Sequence, residues 1–191
     1  MRILLCTLIA LFVGSACVAD VIPSTDVPVN IWDNSTVQST VTVGSGAIIT
    51  DVNVFIEMLY HTRDADLRIS LVSPAGTTVM LFNNQGGLGD NLIGTLFDDE
   101  APRPIGSGSA PFTGSFSPIG SLSDFDGENS GGVWTLVIQD MTSGDTGVLN
   151  AWSLQVAGSD VNAMPEPASL FLCGLALAAL GQLSRRKSRR Y

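Results

Sequence analysis

The chain has 191 residues, with nine Lys and Arg against 18 Asp and Glu, one His and three Cys. A net charge of −9 repels phosphate backbones and argues against nucleic acid as a partner. Cys6, Cys17 and Cys173 all lie in two terminal apolar segments, which excludes a disulfide scaffold or a cysteine-based metal site elsewhere.

The first element is a secretory signal peptide over residues 1–19. Arg2 is a short basic start, residues 3–13 are apolar, and Gly14, Ser15, Ala16 and Val18-Ala19 are small or short side chains suited to signal peptidase. Cleavage after Ala19 fits best and after Ala16 second. Cys17 raises lipidation, but Gly14 stands where a lipobox wants a branched apolar residue.

The stretch from residue 20 to 163 then suits one domain. It keeps only Arg63, Arg68 and Arg103 of the basic residues and loses only Glu166 of the acidic ones, so its charge is about −14. Such a surface favours solubility and divalent cations. Residues 20–50 read as an N-terminal strand region that includes an alternating run at 37–43. Val52, Val54, Ile56 and Met58 recur at period two opposite Asn53 and Glu57, the pattern of a half-buried strand. Leu67, Ile69 and Leu71 repeat it opposite Arg68 and Ser70. Ser73-Pro74-Ala75-Gly76 reads as a four-residue turn into a return strand at 77–82, forming a hairpin.

Residues 83–132 are rich in Gly, Asn, Ser, Pro and Asp and too long for one structureless loop. Short edge strands are expected at 95–97 and 112–116. Two further strands at 133–139 and 151–156 are joined by Thr142-Ser143-Gly144-Asp145-Thr146-Gly147. Trp134, Leu136, Trp152 and Leu154 alternate into the core. Many short strands with Gly- and Pro-rich turns predict an all-β, two-sheet sandwich.

The chain ends in three parts. Pro165-Glu166-Pro167 is followed by an uncharged run at 168–183 rich in Ala, Leu and Gly, and then by Arg185-Arg186-Lys187-Ser188-Arg189-Arg190. The run is slightly short of the roughly 20 residues that span a bilayer. The basic end should stay in the cytoplasm and the chain before Met164 outside the inner membrane. This sequence of parts over residues 164–191 resembles the PEP-CTERM sorting signal of bacterial proteins handled by exosortases. The resemblance implies cutting near Pro165, Glu166 and Pro167 by an exosortase-type membrane transpeptidase, a transient membrane anchor, and a link to exopolysaccharide and biofilm.

A second resemblance lies inside the domain. The run from His61 to Thr77 resembles the P domain (Homo B domain) of subtilisin-like proprotein convertases. So do Gly89-Asp90-Asn91, Phe97-Asp98-Asp99-Glu100-Ala101 and Ala110-Pro111-Phe112-Thr113-Gly114. The strongest match runs from Gly132-Val133-Trp134-Thr135-Leu136 through Asp140 and Gly144-Asp145-Thr146-Gly147 to Leu149-Asn150-Ala151-Trp152-Ser153-Leu154. The resemblance covers the domain core, taken as residues 51–160, and implies a jelly-roll-like β-sandwich of about eight strands. A P domain ordinarily follows a subtilisin-type catalytic domain, and only about 30 residues lie between the signal peptide and the match here, too few for a catalytic domain of that size.

Catalysis is not expected. The single His, His61, belongs to the matched His-Thr motif, and no Gly-x-Ser-x-Gly elbow occurs. Asp124-x-Asp126-Gly127-Glu128 fails as an EF-hand loop, because its Gly falls at position four and the distal Glu is missing. A calcium site joining Asp64 or Asp66 to Asp98 or Asp99 is the remaining metal expectation. The function expected is an exported, non-catalytic binding or structural protein. The alternatives are an accessory chain that stabilises a subtilisin-like protease in trans, and a carbohydrate-binding module using an exposed aromatic, for which Trp32 is the best placed.

Overall fold

The computed structural model describes residues 19–159. Ten strands follow in order: β1 (Asp20–Pro23), β2 (Val29–Ile31), β3 (Thr36–Val43), β4 (Ile48–His61), β5 (Leu67–Val72), β6 (Thr78–Asn83), β7 (Leu92–Phe97), β8 (Phe112–Phe116), β9 (Gly132–Asp140) and β10 (Gly147–Ser159). They form an all-β protein of two sheets. One sheet runs β1-β10-β4-β7-β8, with β2 also paired to β10, and the other runs β3-β9-β5-β6. All pairs are antiparallel except β7 with β8. The expected edge strands at 95–97 and 112–116 are present as the ends of β7 and as β8. Only β8 is an edge, since β7 sits between β4 and β8.

Period-two alternation explains why the sheets face each other. Leu67, Ile69 and Leu71 of β5, and Trp134, Leu136 and Ile138 of β9, point inward from the smaller sheet. Val52, Val54 and Ile56 of β4, and Trp152, Leu154 and Val156 of β10, point inward from the larger one. All belong to one buried cluster. Removing side chains of this size from water is the main stabilising term, about 1.5–3 kcal/mol for each. Trp134 stacks edge-on against Phe125, with ring centroids 5.0 Å apart. Its indole N–H donates to the carbonyl of Ser130 at 2.9 Å. The indole of Trp152 donates across to Ser39 of β3 at 2.7 Å, and the Ser39 hydroxyl donates in turn to Asp26 at 2.5 Å. Both tryptophans thus bury an apolar body with a satisfied polar handle.

Two sequence expectations shift. The β5–β6 connection has five residues, because Val72 pairs with Thr78. Met58 is not on the core face. Between the pairs Met58–Ala151 and Ile56–Trp152, β4 carries one residue more than β10, Glu57. This bulge moves the inward phase of β4 from Val52, Val54 and Ile56 to Leu59 and His61, and leaves Met58 exposed. The chain enters β1 at Asp20, opposite Val156, and leaves β10 at Ser159, opposite Ile48. Both described ends therefore lie at the same end of the larger sheet.

Candidate functional site

The opposite end of the sandwich gathers the polar chemistry. The bulge in β4 turns His61, the last residue of that strand, inward. Asp140 closes β9 on the inward phase set by Trp134, Leu136 and Ile138. The two strands belong to different sheets, and their last side chains meet: His61 Nε2 lies 3.4 Å from Asp140 Oδ2, both side chains fully buried. The other ring nitrogen, Nδ1, lies 2.8 Å from the Arg63 carbonyl oxygen and 3.2 Å from the Arg63 amide nitrogen. Asp140 Oδ1 accepts the amide of Thr142 at 3.0 Å. After His61 the chain makes a 3-10 turn, Asp64–Asp66, which buries both carboxylates. Asp66 Oδ1 is 3.6 Å from Arg63 Nε, and Asp64 Oδ1 accepts the amide of Asn91 at 2.8 Å.

Among the described residues, five buried polar atoms of this cluster lack a hydrogen-bond partner: His61 Nε2, Arg63 Nε, and one oxygen each of Asp64, Asp66 and Asp140, although His61 faces Asp140 and Arg63 faces Asp66 at ion-pair distance. An unpartnered buried polar group is costly. Burial pushes the Asp64 carboxyl up to about 7, against the Asn91 amide, which favours the charged form; the charge of nearby Asp90 adds to the rise. Gly147 is required where β10 passes this corner, since a Cβ there would lie 2.3 Å from the Tyr60 carbonyl oxygen and 2.6 Å from His61 Cδ2.

Beside the sealed cluster, an open cavity of about 350 Å³ lies over the solvent face of the larger sheet and its loops, with Asn30, Tyr60, Thr62, Asp90, Asn91 and Thr146 among its walls. The Thr62 hydroxyl donates to Asp145 at 2.7 Å, and the Asn91 side-chain oxygen Oδ1 accepts the amide of His61 at 3.1 Å. These two bonds tie the loops to the strand ends.

Asp98 and Asp99 are elsewhere. Asn91, bonded to Asp64, precedes β7, whereas Asp98 follows its last residue, so the two acidic groups sit at opposite ends of that strand. The structure does not bring Asp64 or Asp66 to Asp98 or Asp99. Among the described residues no group of three or more His, Cys, Asp or Glu side chains is placed to hold a metal ion. The calcium site drawn from the sequence is therefore not assembled. Asp99 instead serves as a cap. Burial pushes its carboxyl up, but the amides of Leu122 at 3.0 Å and Ser123 at 2.9 Å and the hydroxyl of Ser121 at 2.8 Å outweigh it and hold the group below the ordinary range. Nearby Asp51 moves the other way, raised by burial and by the charges of Asp98, Asp126 and Asp99.

Trp134, Leu136, Trp152 and Leu154 are all fully buried, whereas Trp32 is 63% exposed. Pro165, Glu166 and Pro167, the apolar run after them and the signal peptide lie outside the described residues. Among the described residues no helix is long and apolar enough to cross a membrane. Sequence reading missed Asp140 and Tyr60. Asp140 was detectable, because it continues the inward phase of β9 by two residues. Tyr60 was not, because the bulge at Glu57 sets its direction.

The family model for the proprotein convertase P-domain matches residues 49–156. The chain belongs to the proprotein convertase P-domain family. This P domain is 31% identical over 132 residues to leupeptin-inactivating enzyme 1 of Streptomyces exfoliatus, an alignment covering 66% of this chain and 24% of that protein. It is similar in structure to the Aeromonas sobria serine protease in complex with its chaperone ORF2, with a TM-score of 0.50 and 25% identity, over 75% of this chain and 27% of that one. The chain thus spans about a quarter of the length of either relative.

Proposed function

We propose that this P domain is a non-catalytic module that serves a subtilisin-like serine protease in trans. The observation that carries the reading is the fate of the only histidine. His61 is 2% exposed, its ring contacts are to the Arg63 backbone and Asp140, and no Ser, Thr or Cys side chain bonds to it among the described residues. A general base must reach its nucleophile and substrate, and this imidazole reaches neither. Family membership and the likeness to a serine protease supply the partner class. In the test, the full-length chain is added to a subtilisin-like protease of the same cell that lacks a P domain. Co-purification and a longer half-life of protease activity on heating are expected. Absence of both overturns the reading, as does peptidase activity of the chain alone that is lost in His61→Ala.

The same protein is proposed to be exported and sorted. The three-part terminal signal supports this, and so does the start of β1 at Asp20, which cleavage after Ala19 leaves whole. Signal peptidase and an exosortase-type transpeptidase are the processing partners, and the cell surface or an exopolysaccharide matrix is the destination. Intact mass spectrometry of the protein outside the cell should show a start near Asp20 and an end between Met164 and Pro167. A full-length species there overturns the proposal.

A further inference from the structure

We infer that the cleft over Tyr60 is a binding site for a neutral, hydroxyl-rich saccharide. This inference is independent of the protease reading. The floor of the cleft is one row of the larger sheet. Asn30 of β2, Val148 of β10 and Tyr60 of β4 are register partners across three adjacent strands. The bulge at Glu57 puts Tyr60 and Met58 on the solvent face together, 41% and 38% exposed. Met58 pairs with the half-buried Ile93 of β7. Tyr60, Met58 and Ile93 therefore form an apolar strip with an accessible aromatic ring on this sheet face, which also carries the half-buried pair Phe55 and Leu96. The C–H face of a pyranose has the shape and polarity to cover such a strip, as aromatic side chains present a large apolar surface with a polar tip.

The rim decides which ligand class fits. The side chains of Asn30 and Asp90, and the side-chain nitrogen Nδ2 of Asn91, have no hydrogen-bond partner among the described residues, while the side-chain oxygen Oδ1 of Asn91 is used by the His61 amide and its backbone N–H by Asp64. The free set thus contains both N–H donors and carboxylate or amide acceptors. A sugar hydroxyl both donates and accepts and can serve every one of these groups. An ammonium or guanidinium has no acceptor for the Asn N–H groups. Phosphate or sulfate meets the Asp90 charge with no compensating base, because none of Arg63, Arg68 and Arg103 lines the cavity. The volume, about 350 Å³, lies within the range of small-ligand sites, and its open side admits an internal unit of a longer chain.

The test is native affinity electrophoresis of the full-length chain in gels containing neutral polysaccharides of glucose, mannose, galactose or xylose units, with dextran sulfate and an oligo-arginine peptide as the charged probes. At least one neutral polysaccharide should retard the chain. Tyr60→Ala should weaken that retardation at least tenfold and Asn30→Ala should weaken it less, while Trp32→Ala, outside the cleft, should leave it unchanged. Tyr60 is exposed, so its variants should melt like the wild type, and Tyr60→Phe should retain binding. Four results would overturn the inference: no retardation by any neutral polysaccharide, retardation undiminished in Tyr60→Ala, loss that follows Trp32 in place of Tyr60, or oligo-arginine binding that depends on Tyr60 and Asp90. The last would make the cleft a docking site for a basic peptide.

Discussion

The two ends of β7 hold aspartates in opposite energetic states. Asp64, at the start, is fully buried with one oxygen unpaired, and burial drives its carboxyl up to about 7. Asp99, just past the other end, is half-buried and accepts three hydrogen bonds that hold its carboxyl below the ordinary range despite burial. Both read as acidic loop residues beside a strand. What separates them is the supply of donors: a carboxylate with enough N–H and O–H partners stabilises a fold as an anion, and one without them stabilises it only when protonated. The pH dependence follows. The folded-state pKa of Asp64 lies above its unfolded value, so its contribution is fullest below about 4 and is lost as pH rises through about 7. The folded-state pKa of Asp99 is depressed, so its contribution is present above the unfolded value and is lost as pH falls.

Experiments can break this contrast, and the core sets their scale. Trp134→Ala should cost about 3–5 kcal/mol of unfolding free energy through lost transfer energy and a cavity, read from the urea midpoint at pH 7, whereas the exposed Trp32→Ala should stay within about 0.5 kcal/mol. If a loop carboxylate rivals Trp134, the loops and not the sandwich core dominate stability. Asp99→Ala comes next, at about 1–2 kcal/mol at pH 7, because three donors lose a charged acceptor in a partly solvated site. The difference from wild type should shrink by pH 3, and a constant difference would mean that the anion is not what matters.

Asp64→Asn keeps an acceptor for the Asn91 amide while removing the buried charge. It should raise the urea midpoint at pH 8, by about 1 kcal/mol in stability, and leave it unchanged near pH 4. Destabilisation at both pH values would show that the unpaired oxygen has a partner in solution. The smallest effect expected is that of a chelator. With Asp64 and Asp66 at one end of β7 and Asp98 and Asp99 at the other, EDTA should not move the melting temperature. A drop that disappears in Asp66→Asn would restore a calcium site at the Asp64–Asp66 turn.

Much of the sandwich was legible in the sequence because period-two burial is a local property. Leu67, Ile69 and Leu71, or Trp134, Leu136 and Ile138, report their face without reference to any partner strand. The bulge at Glu57 broke this logic. Its extra residue exists only relative to β10, so the sequence pattern continued to Met58 and hid the inward turn of His61 and the outward turn of Tyr60. The calcium expectation failed for the same reason. Closeness in sequence pattern does not encode which end of a strand a loop occupies, and the spacing from Asp64 to Asp99 is bridged by β5, β6 and β7. The sealed contact of His61 with Asp140 depends on two strands from different sheets ending at one level, which register alone sets.

The arrangement of the described ends has a mechanical consequence. Asp20 begins β1 opposite Val156, and Ser159 ends its neighbour β10 at the same end of the sheet. A load applied between residues 20 and 159 pulls across the strands and not along them. The β1–β10 ladder, four residue pairs long, would then open like a zipper, one pair at a time, with no row of hydrogen bonds sharing the force. Under tension the domain should shed β1 first at low force, while the His61 end, farthest from the grips, stays closed.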